Sequence, residues 1–421
     1  MFRSYALVIL VFLFITQIVA WRLWRRRFEK PLGRKIINII FVAFNVGWLA
    51  SLYQWRLGDN GMSGYFLAWV ARPAISWQAS HAFIILPLAA LASILAWIPL
   101  RLAKKNPKPS SAPQANLEKL PAQTPAEEPK NMDRRQFLKT ATNASFFGLV
   151  GLCSYGVYRQ YRFPEVKRLT INIPDLPKAL DGLTIAQLSD THMGLWTTER
   201  ELDAAMFTAK AEKPDLVVFT GDLVDRDPSK AELYGAPLKR HLQDIPLGVY
   251  GILGNHDHFT NPNRIAKILD ARGINMLVDE RYNFSDLPLS LVGLDDRRGR
   301  MFPGAQSAHN DPDLLDFSPV KGPQPREGDF RILLNHRPEG ISQAVRAGYQ
   351  LYLAGHTHGG QYSWPGSDHQ ANLASLFYKY TAGLYQVDSG WLNVSCGLAA
   401  VGVPFRLVSW PEISLITLKR A

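Results

Sequence analysis

Apolar positions along the chain fall into two regimes. In the first hundred residues they form long continuous runs: YALVILVFLFITQIVAW (5–21), IINIIFVAFNVGWLASLY (36–53) and HAFIILPLAALASILAWIPL (81–100). Runs of this character predict membrane-spanning helices. The stretch GYFLAWVARPAISWQ (64–78) carries Arg72 and Pro73 and predicts an interfacial or packed element. From about residue 161 the apolar runs become short and alternate with amphipathic stretches. LTIAQLSD, DLVVFTGD, GVYGILGN, LSLVGLDD, FRILLNH, YQLYLAGH, WLNVS and ISLITL predict strands. TERELDAAMFTAKAEK and NRIAKILDARG predict helices, with Thr197 or Thr198 and Asn261 or Asn263 as caps. Strands alternating with helices predict a layered α/β domain.

Between the regimes, NPKPSSAPQANLEKLPAQTPAEEPK is too poor in large apolar residues to bury a core and predicts a linker. The expected organisation is a transmembrane region of about three helices (1–105), a cytoplasmic linker (106–131), a signal or anchor helix (132–160) and the layered α/β domain (161–421). In that third segment Arg134 and Arg135 precede Phe137, Leu138, Lys139 and a moderately apolar run. This resembles a twin-arginine export signal, read by the twin-arginine translocation machinery. A fourth membrane helix with basic flanks is the alternative. No A-x-A site closes the run, so it is expected to remain as an anchor.

Charge sharpens this picture. Residues 1–160 hold 20 Lys/Arg against 6 Asp/Glu, whereas residues 161–421 hold 27 against 30. The overall charge of +11 therefore lies beside the apolar runs, where it reads as topology and not as a nucleic-acid surface. Seven basic residues between 22 and 35 and three between 101 and 105 place both segments in the cytoplasm. The layered α/β domain is then expected on the extracytoplasmic face of a multi-pass cell-membrane protein. The two cysteines, Cys153 and Cys396, imply no disulfide framework.

Chemistry concentrates where the predicted strands end. Asp190 and His192 close one strand, and Asp222 and Asp225 follow another. Asn255, His256, Asp257 and His258 follow a third, His336 a fourth, and His356 and His358 a fifth. In extended backbone, residues i and i+2 share a face, so each close pair is expected to aim at one point. Strand ends of α/β sheets are where sites form. Carboxylate, imidazole and amide oxygen suit a hard or borderline divalent ion, with no thiolate needed. One ion would leave ligands over; two ions sharing a carboxylate would use them all.

The ordered set D-x-H, G-D, G-N-H-D, H, G-H-x-H resembles the calcineurin-like metallophosphoesterase superfamily. The blocks QLSDTHMG, LAGHTHGGQ, AGLY, VSCG and PEISLITLK look most like its membrane-anchored branch, which often has a twin-arginine signal. That resemblance implies a four-layer αββα sandwich of two mixed sheets, preceded here by the α-helical membrane region. It assigns Asp190, His192, Asp222 and His358 to one ion and Asp222, Asn255, His336 and His356 to a second, the metals being Mn, Fe, Zn or Mg. His256 is implied as general acid or phosphate stabiliser, oriented by Asp257. The nucleophile is implied to be a hydroxide held by the ions. Two positions depart from the branch: Cys396 in VSCG, and the residue after the histidine in NHRPEG, where Gln/Pro is commoner.

These features imply a hydrolase of phosphate mono- or diesters, with lipid-linked esters as natural candidates for a site tethered at membrane lipid. An enzyme like the UDP-2,3-diacylglucosamine pyrophosphohydrolases of lipid A synthesis is one alternative, although its substrate is cytoplasmic. A non-catalytic metal-binding sensor is another. Asp225 reads equally as support for the ligands or as a turn residue. Arg297, Arg298 and Arg300, in the long loop 295–329, read either as anion contacts or as solvated charge. His81, His241, His258, His309 and His369 are expected to be structural.

Overall fold

The computed structural model describes residues 2–28, 30–56 and 72–82, and residues 154–421 apart from 195–196, 226, 297–314, 364–370 and 403, with isolated positions at 70, 140, 148 and 151–152. The linker, the Arg134-Arg135 pair, Cys153, His309, His369, Arg297, Arg298, Arg300 and most of the third apolar run lie outside the described residues. The chain divides into two compact units, Met1–Tyr53 with Pro73–Tyr155, and Gln54–Arg72 with Gly156–Ala421.

In the first unit, helix α1 spans Phe2–Arg27, α2 Pro31–Arg56 and α3 Arg72–Ser80. The first two outrun their apolar stretches because Arg and Lys, good helix formers, continue them. Burial is inverted relative to a water-soluble bundle. Gln17 and Gln78 are buried, while Ile39, Val42, Val46 and Leu49 face outward. The buried amides are paired: Trp77 Nε1 donates to Gln17 Oε1 at 2.9 Å, and Gln78 Nε2 to Asn45 Oδ1 at 2.9 Å. Polar side chains joined between helices with apolar ones outside is an arrangement that lipid favours. Among the described residues, one helix, Pro31–Ala50, is long and apolar enough to cross a membrane.

The second unit carries two six-stranded sheets. The first runs β1 (Glu165–Ile173), β12 (Glu412–Arg420), β2 (Thr184–Leu188), β3 (Leu216–Thr220), β4 (Val249–Ile252), β5 (Asn275–Met276). The second runs β10 (Gly383–Val387), β11 (Gly390–Val394), β9 (Leu351–Ala354), β8 (Phe330–Leu334), β7 (Leu289–Gly293), β6 (Glu280–Asn283). Both are mixed: β12 is antiparallel to β2, β10 to β11 and β6 to β7, while the remaining pairs are parallel. Among the described residues, five helices accompany them: α4 (Glu199–Ala211), α5 (Ser229–Tyr234), α6 (Ala236–Leu242), α7 (Pro262–Asp270) and α8 (Ile341–Arg346).

The period-two alternation of each strand builds the layers. Leu216 and Val218 point between the sheets, while Val217 and Phe219 point toward α4 and α6. In β9, Leu351 and Leu353 likewise face the inter-sheet core, and Tyr352 and Ala354 face the layer of α8. Three apolar cores thus separate four layers, which is the expected αββα sandwich. Thr198 caps α4, with the Glu201 carboxylate accepting from its backbone N–H at 3.0 Å. Asn261 caps α7, its Oδ1 accepting from Arg264 N–H at 3.0 Å. The helices α5, α6 and α8 and the strand β1 were not legible in the pattern. The helices are too short to show a period, and β1 (EVKRLTINI) is half charged or polar.

Leu353 lies at the centre of the inter-sheet core. Leu353→Ala is expected to cost about 2–5 kcal/mol, lowering the urea midpoint of the full chain in pulse proteolysis. A midpoint unchanged from wild type would contradict this packing.

Candidate metal centre

Parallel strands β2, β3, β4, β8 and β9 end at one edge, and the motif residues lie just beyond them. The expectation of extended backbone at the two D-x-H and H-x-H pairs is corrected here. β2 stops at Leu188 and β9 at Ala354, and Asp190, His192, Asp222, His356 and His358 all adopt left-handed backbone, with φ of 51°, 41°, 51°, 73° and 52°. Each such turn costs on the order of 1 kcal/mol and persists only where surrounding contacts hold it. What it achieves is convergence of side chains from separate strand ends. Glycine makes the close approach possible. A Cβ on Gly254 would lie 2.3 Å from Asp222 Oδ1, and one on Gly355 would lie 2.4 Å from Asp190 Oδ2.

Three overlapping donor clusters result: Asp190 with His192 and His358, His192 with Asp222 and His256, and Asp222 with His336 and His356. His358 Nε2 stands 3.3 Å from Asp190 Oδ1 and 3.3 Å from His192 Nε2. His336 Nε2 stands 3.2 Å from Asp222 Oδ2 and 3.2 Å from His356 Nδ1. Outer partners fix which nitrogen faces inward. His358 Nδ1 donates to Ala399 O and His336 Nδ1 to Thr220 O, both at 2.8 Å, so each ring turns Nε2 to the centre, and an ion held there by His336 would displace the proton that Asp222 favours.

Electrostatics follow from burial. It pushes His192 down to about 4. Burial, with the Arg337 charge beside His356 and the His192 charge beside His358, holds both of those imidazoles well below their usual value. All three are therefore neutral and able to ligate. Burial also pushes Asp190 up to about 6. At Asp222 burial acts the same way, but the charge and hydrogen bond of His336 prevail and keep its carboxylate well below the usual range. His336 in turn is raised to about 10, its burial outweighed by Asp222. The centre thus gathers positive charge around Asp222.

Two buried oxygens show that this is not enough. Asp190 Oδ1 and Asn255 Oδ1 have no hydrogen-bond partner among the described residues. An orphaned buried acceptor costs about 1–3 kcal/mol, and cations placed among these donors would satisfy both. Carboxylate, imidazole and amide oxygen therefore fit two divalent ions.

The partner of His256 differs from expectation. His256 Nδ1 pairs with Asp225 Oδ1 at 3.1 Å. Asp257 instead turns inward, accepting from the backbone N–H groups of Gly254 and Val224, each at 2.8 Å, and of Leu223 at 3.1 Å. Asp257 pins the loops after β3 and β4, and Asp225 orients His256. The resemblance implied Asp257 for that place, whereas in this structure the carboxylate beside the ring is Asp225. His258 is structural, 2.6 Å from Asp295 Oδ1, as is His241, 2.9 Å from Asp203 Oδ1.

Sequence reading passed over Arg406. Its side chain is fully buried and donates to Ser409 O and Cys396 O at 2.9 Å, to Gln160 Oε1 at 2.9 Å, and to Ala399 O. It thereby fixes the carbonyl that orients His358. A lone arginine in the apolar stretch VPFRLVSW was the available signal. Cys396 packs beside it, a buried thiol whose pKa burial drives well above normal, so it acts as an apolar filler.

His256 is held above its usual pKa by the Asp225 hydrogen bond and the Asp222 and Asp225 charges, against burial. Asp225→Asn should therefore lower it, moving the alkaline limb of the kcat/KM profile to lower pH. Asp257→Ala should leave that limb in place but destabilise the chain by several kcal/mol, since it orphans buried N–H groups at about 1–3 kcal/mol each. Urea midpoints and pH–rate profiles of the two variants separate the roles; the reverse pattern would restore Asp257 as the orienting residue.

Comparison with known proteins bears on this geometry. Residues 183–360 match the family described as calcineurin-like phosphoesterase. A Bacillus subtilis (strain 168) protein named uncharacterized metallophosphoesterase YkuE is 32% identical over 302 residues, covering 69% of this chain and 99% of that protein. A Danio rerio transmembrane protein with metallophosphoesterase domain is 32% identical over 281 residues, covering 64% of this chain and 61% of its own length. Among solved structures, a dimetal phosphatase from Danio rerio is 15% identical with a TM-score of 0.31, covering 52% of this chain and 88% of that one. With one relative spanned almost end to end and the family's blocks gathered into overlapping donor clusters, the chain belongs to the calcineurin-like phosphoesterase family, metal-dependent hydrolases of phosphoesters.

Proposed function

We propose that the chain is a membrane-anchored phosphoesterase in which Asp190, His192, Asp222 and His358 hold one divalent ion and Asp222, Asn255, His336 and His356 a second. The observation that carries this reading is the pair of orphaned oxygens on Asp190 and Asn255, Asp190 in a donor cluster that His192 joins to those of Asp222, and Asn255 next to His256, whose backbone N–H donates to Asp222. Two such ions would supply the charge that stabilises a phosphoryl group under attack and would acidify the attacking water. The chain's own groups do the rest. Asp222 places both halves of the centre in register. His256, anchored through Nδ1 to Asp225, presents Nε2 as the atom that gives a proton to the leaving oxygen.

The membrane part of the reading is supported by the outward-facing apolar residues of α2 and by relatives named as transmembrane proteins. The basic segments 22–35 and 101–105 and the Arg134-Arg135 pair lie in the cytoplasm, and the chain passes the membrane more than once. Export by the twin-arginine machinery then sets the catalytic unit on the extracytoplasmic face. Lipid-linked phosphoesters and esters released near the surface are the substrates such a site meets.

Elemental analysis of the purified full chain should find two divalent ions at saturation; no more than one would refute the shared-carboxylate arrangement. Asp222→Ala should lose metal and activity together. His256→Ala should keep metal yet lose about 10²–10⁴-fold in turnover on substrates with poor leaving groups. Near wild-type turnover there would remove His256 from its role. No turnover by the metal-loaded wild type on any ester class would favour a sensor.

A reporter fused after Ala421 should be extracytoplasmic. A cytoplasmic reporter would overturn the topology and favour a nucleotide-lipid substrate. Replacing Arg134 and Arg135 by Lys should block export, whereas normal export would leave a plain anchor.

A further inference from the structure

Beside the second cluster lies a cation that none of the motif positions accounts for. Arg337 follows His336 directly. Its Nε pairs with the buried Asp296 carboxylate at 3.0 Å, and its Nη1 lies 2.9 Å from His356 Nε2. The main chain is pinned as well: Asn335 Nδ2 donates to Arg337 O at 3.1 Å, and the Tyr352 hydroxyl donates to the same oxygen. Nη2 makes no hydrogen bond among the described residues, and the side chain is 18% exposed. This is a partly exposed guanidinium held on a rigid mount beside a candidate ligand, with Nη2 unused among the described residues.

Its contact with His356 is provisional on chemical grounds. His356 turns Nδ1 toward His336 and Asp222, so Nδ1 is the nitrogen that can ligate. Nε2 must then carry the hydrogen. Two N–H donors cannot face each other at 2.9 Å. The Tyr378 hydroxyl, 3.2 Å from the same nitrogen, is an acceptor ready for it. With an ion held at His356 Nδ1, Nη1 would lose this acceptor, while Asp296 would still hold the guanidinium next to His356.

We propose that Arg337 binds a non-bridging phosphoryl oxygen of the substrate and favours phosphomonoesters over diesters. The inference rests on the dimetal reading above. A diester has two non-bridging oxygens, which two ions sharing Asp222 can accommodate. A monoester has a third, and it carries the additional charge. A planar guanidinium with a free edge is matched to it.

The test uses the metal-loaded full chain in detergent, with inorganic phosphate as ligand in calorimetry and p-nitrophenyl phosphate and bis(p-nitrophenyl) phosphate as substrates. Arg337→Gln should keep the wild-type metal content and weaken phosphate binding roughly 10- to 100-fold. KM for the monoester should rise similarly, with a smaller change on the diester, and Arg337→Lys should recover part of the loss. Wild-type phosphate affinity in Arg337→Gln would overturn the proposal. So would loss of metal, which would make Arg337 a support for His356, and so would an equal loss on both esters. A wild type that takes up no more than one ion would overturn the dimetal reading, whereas one that takes up two ions and binds no phosphate would overturn this inference alone.

Discussion

A carboxylate removed from water is tolerated only where positive charge or N–H donors surround it, and Asp222 is 2% exposed. It meets His336 Nε2 at 3.2 Å and His192 Nε2 at 3.6 Å, and accepts from the backbone N–H of His256 at 2.8 Å. Those partners come from three different strand ends. The requirement to keep this one charge ionised therefore draws the turns after β2, β4 and β8 toward the turn after β3. With Asp190 buried nearby, the centre still has more acceptors than donors, and divalent ions complete it.

Convergence of this kind depends on loops that do not move. Asp257 supplies much of the rigidity, its carboxylate taking the backbone N–H groups of the consecutive Leu223 and Val224 after β3 and of Gly254 after β4. Arg406 does the equivalent work on the other side of the centre, with its guanidinium spent on backbone carbonyls. Neither residue faces a substrate. Both convert the cost of left-handed backbone at the ligands into a stored, prearranged geometry, which is what a dimetal centre requires of its protein.

The N-terminal unit obeys the opposite solvent logic. Gln17, Asn45 and Gln78 pair in its interior while branched aliphatic side chains of α2 face out. In water that distribution would expose the apolar face; in lipid it would keep these paired amides away from the apolar medium.

The ligand set was legible because coordination chemistry demands particular side chains, and strand ends supply them at short spacings: Asp190 and His192, Asn255 and His256, His356 and His358. The layers were legible because β2, β3, β8 and β9 alternate faces strictly. The sequence could not tell that the ligand turns are left-handed, since the backbone there is dictated by contacts between strand ends. Nor could it choose Asp225 over Asp257 as the partner of His256, because both lie near the motif and only packing decides which one faces the ring. The tautomer of His336 depends on Thr220, 116 residues away, and Arg337 acquires its position from Asp296, 41 residues away. Residue type and local period are properties of a segment, and the sequence determined those. Which nitrogen faces an ion, and which carboxylate orients an imidazole, are properties of segments brought together, and only the tertiary structure decided them.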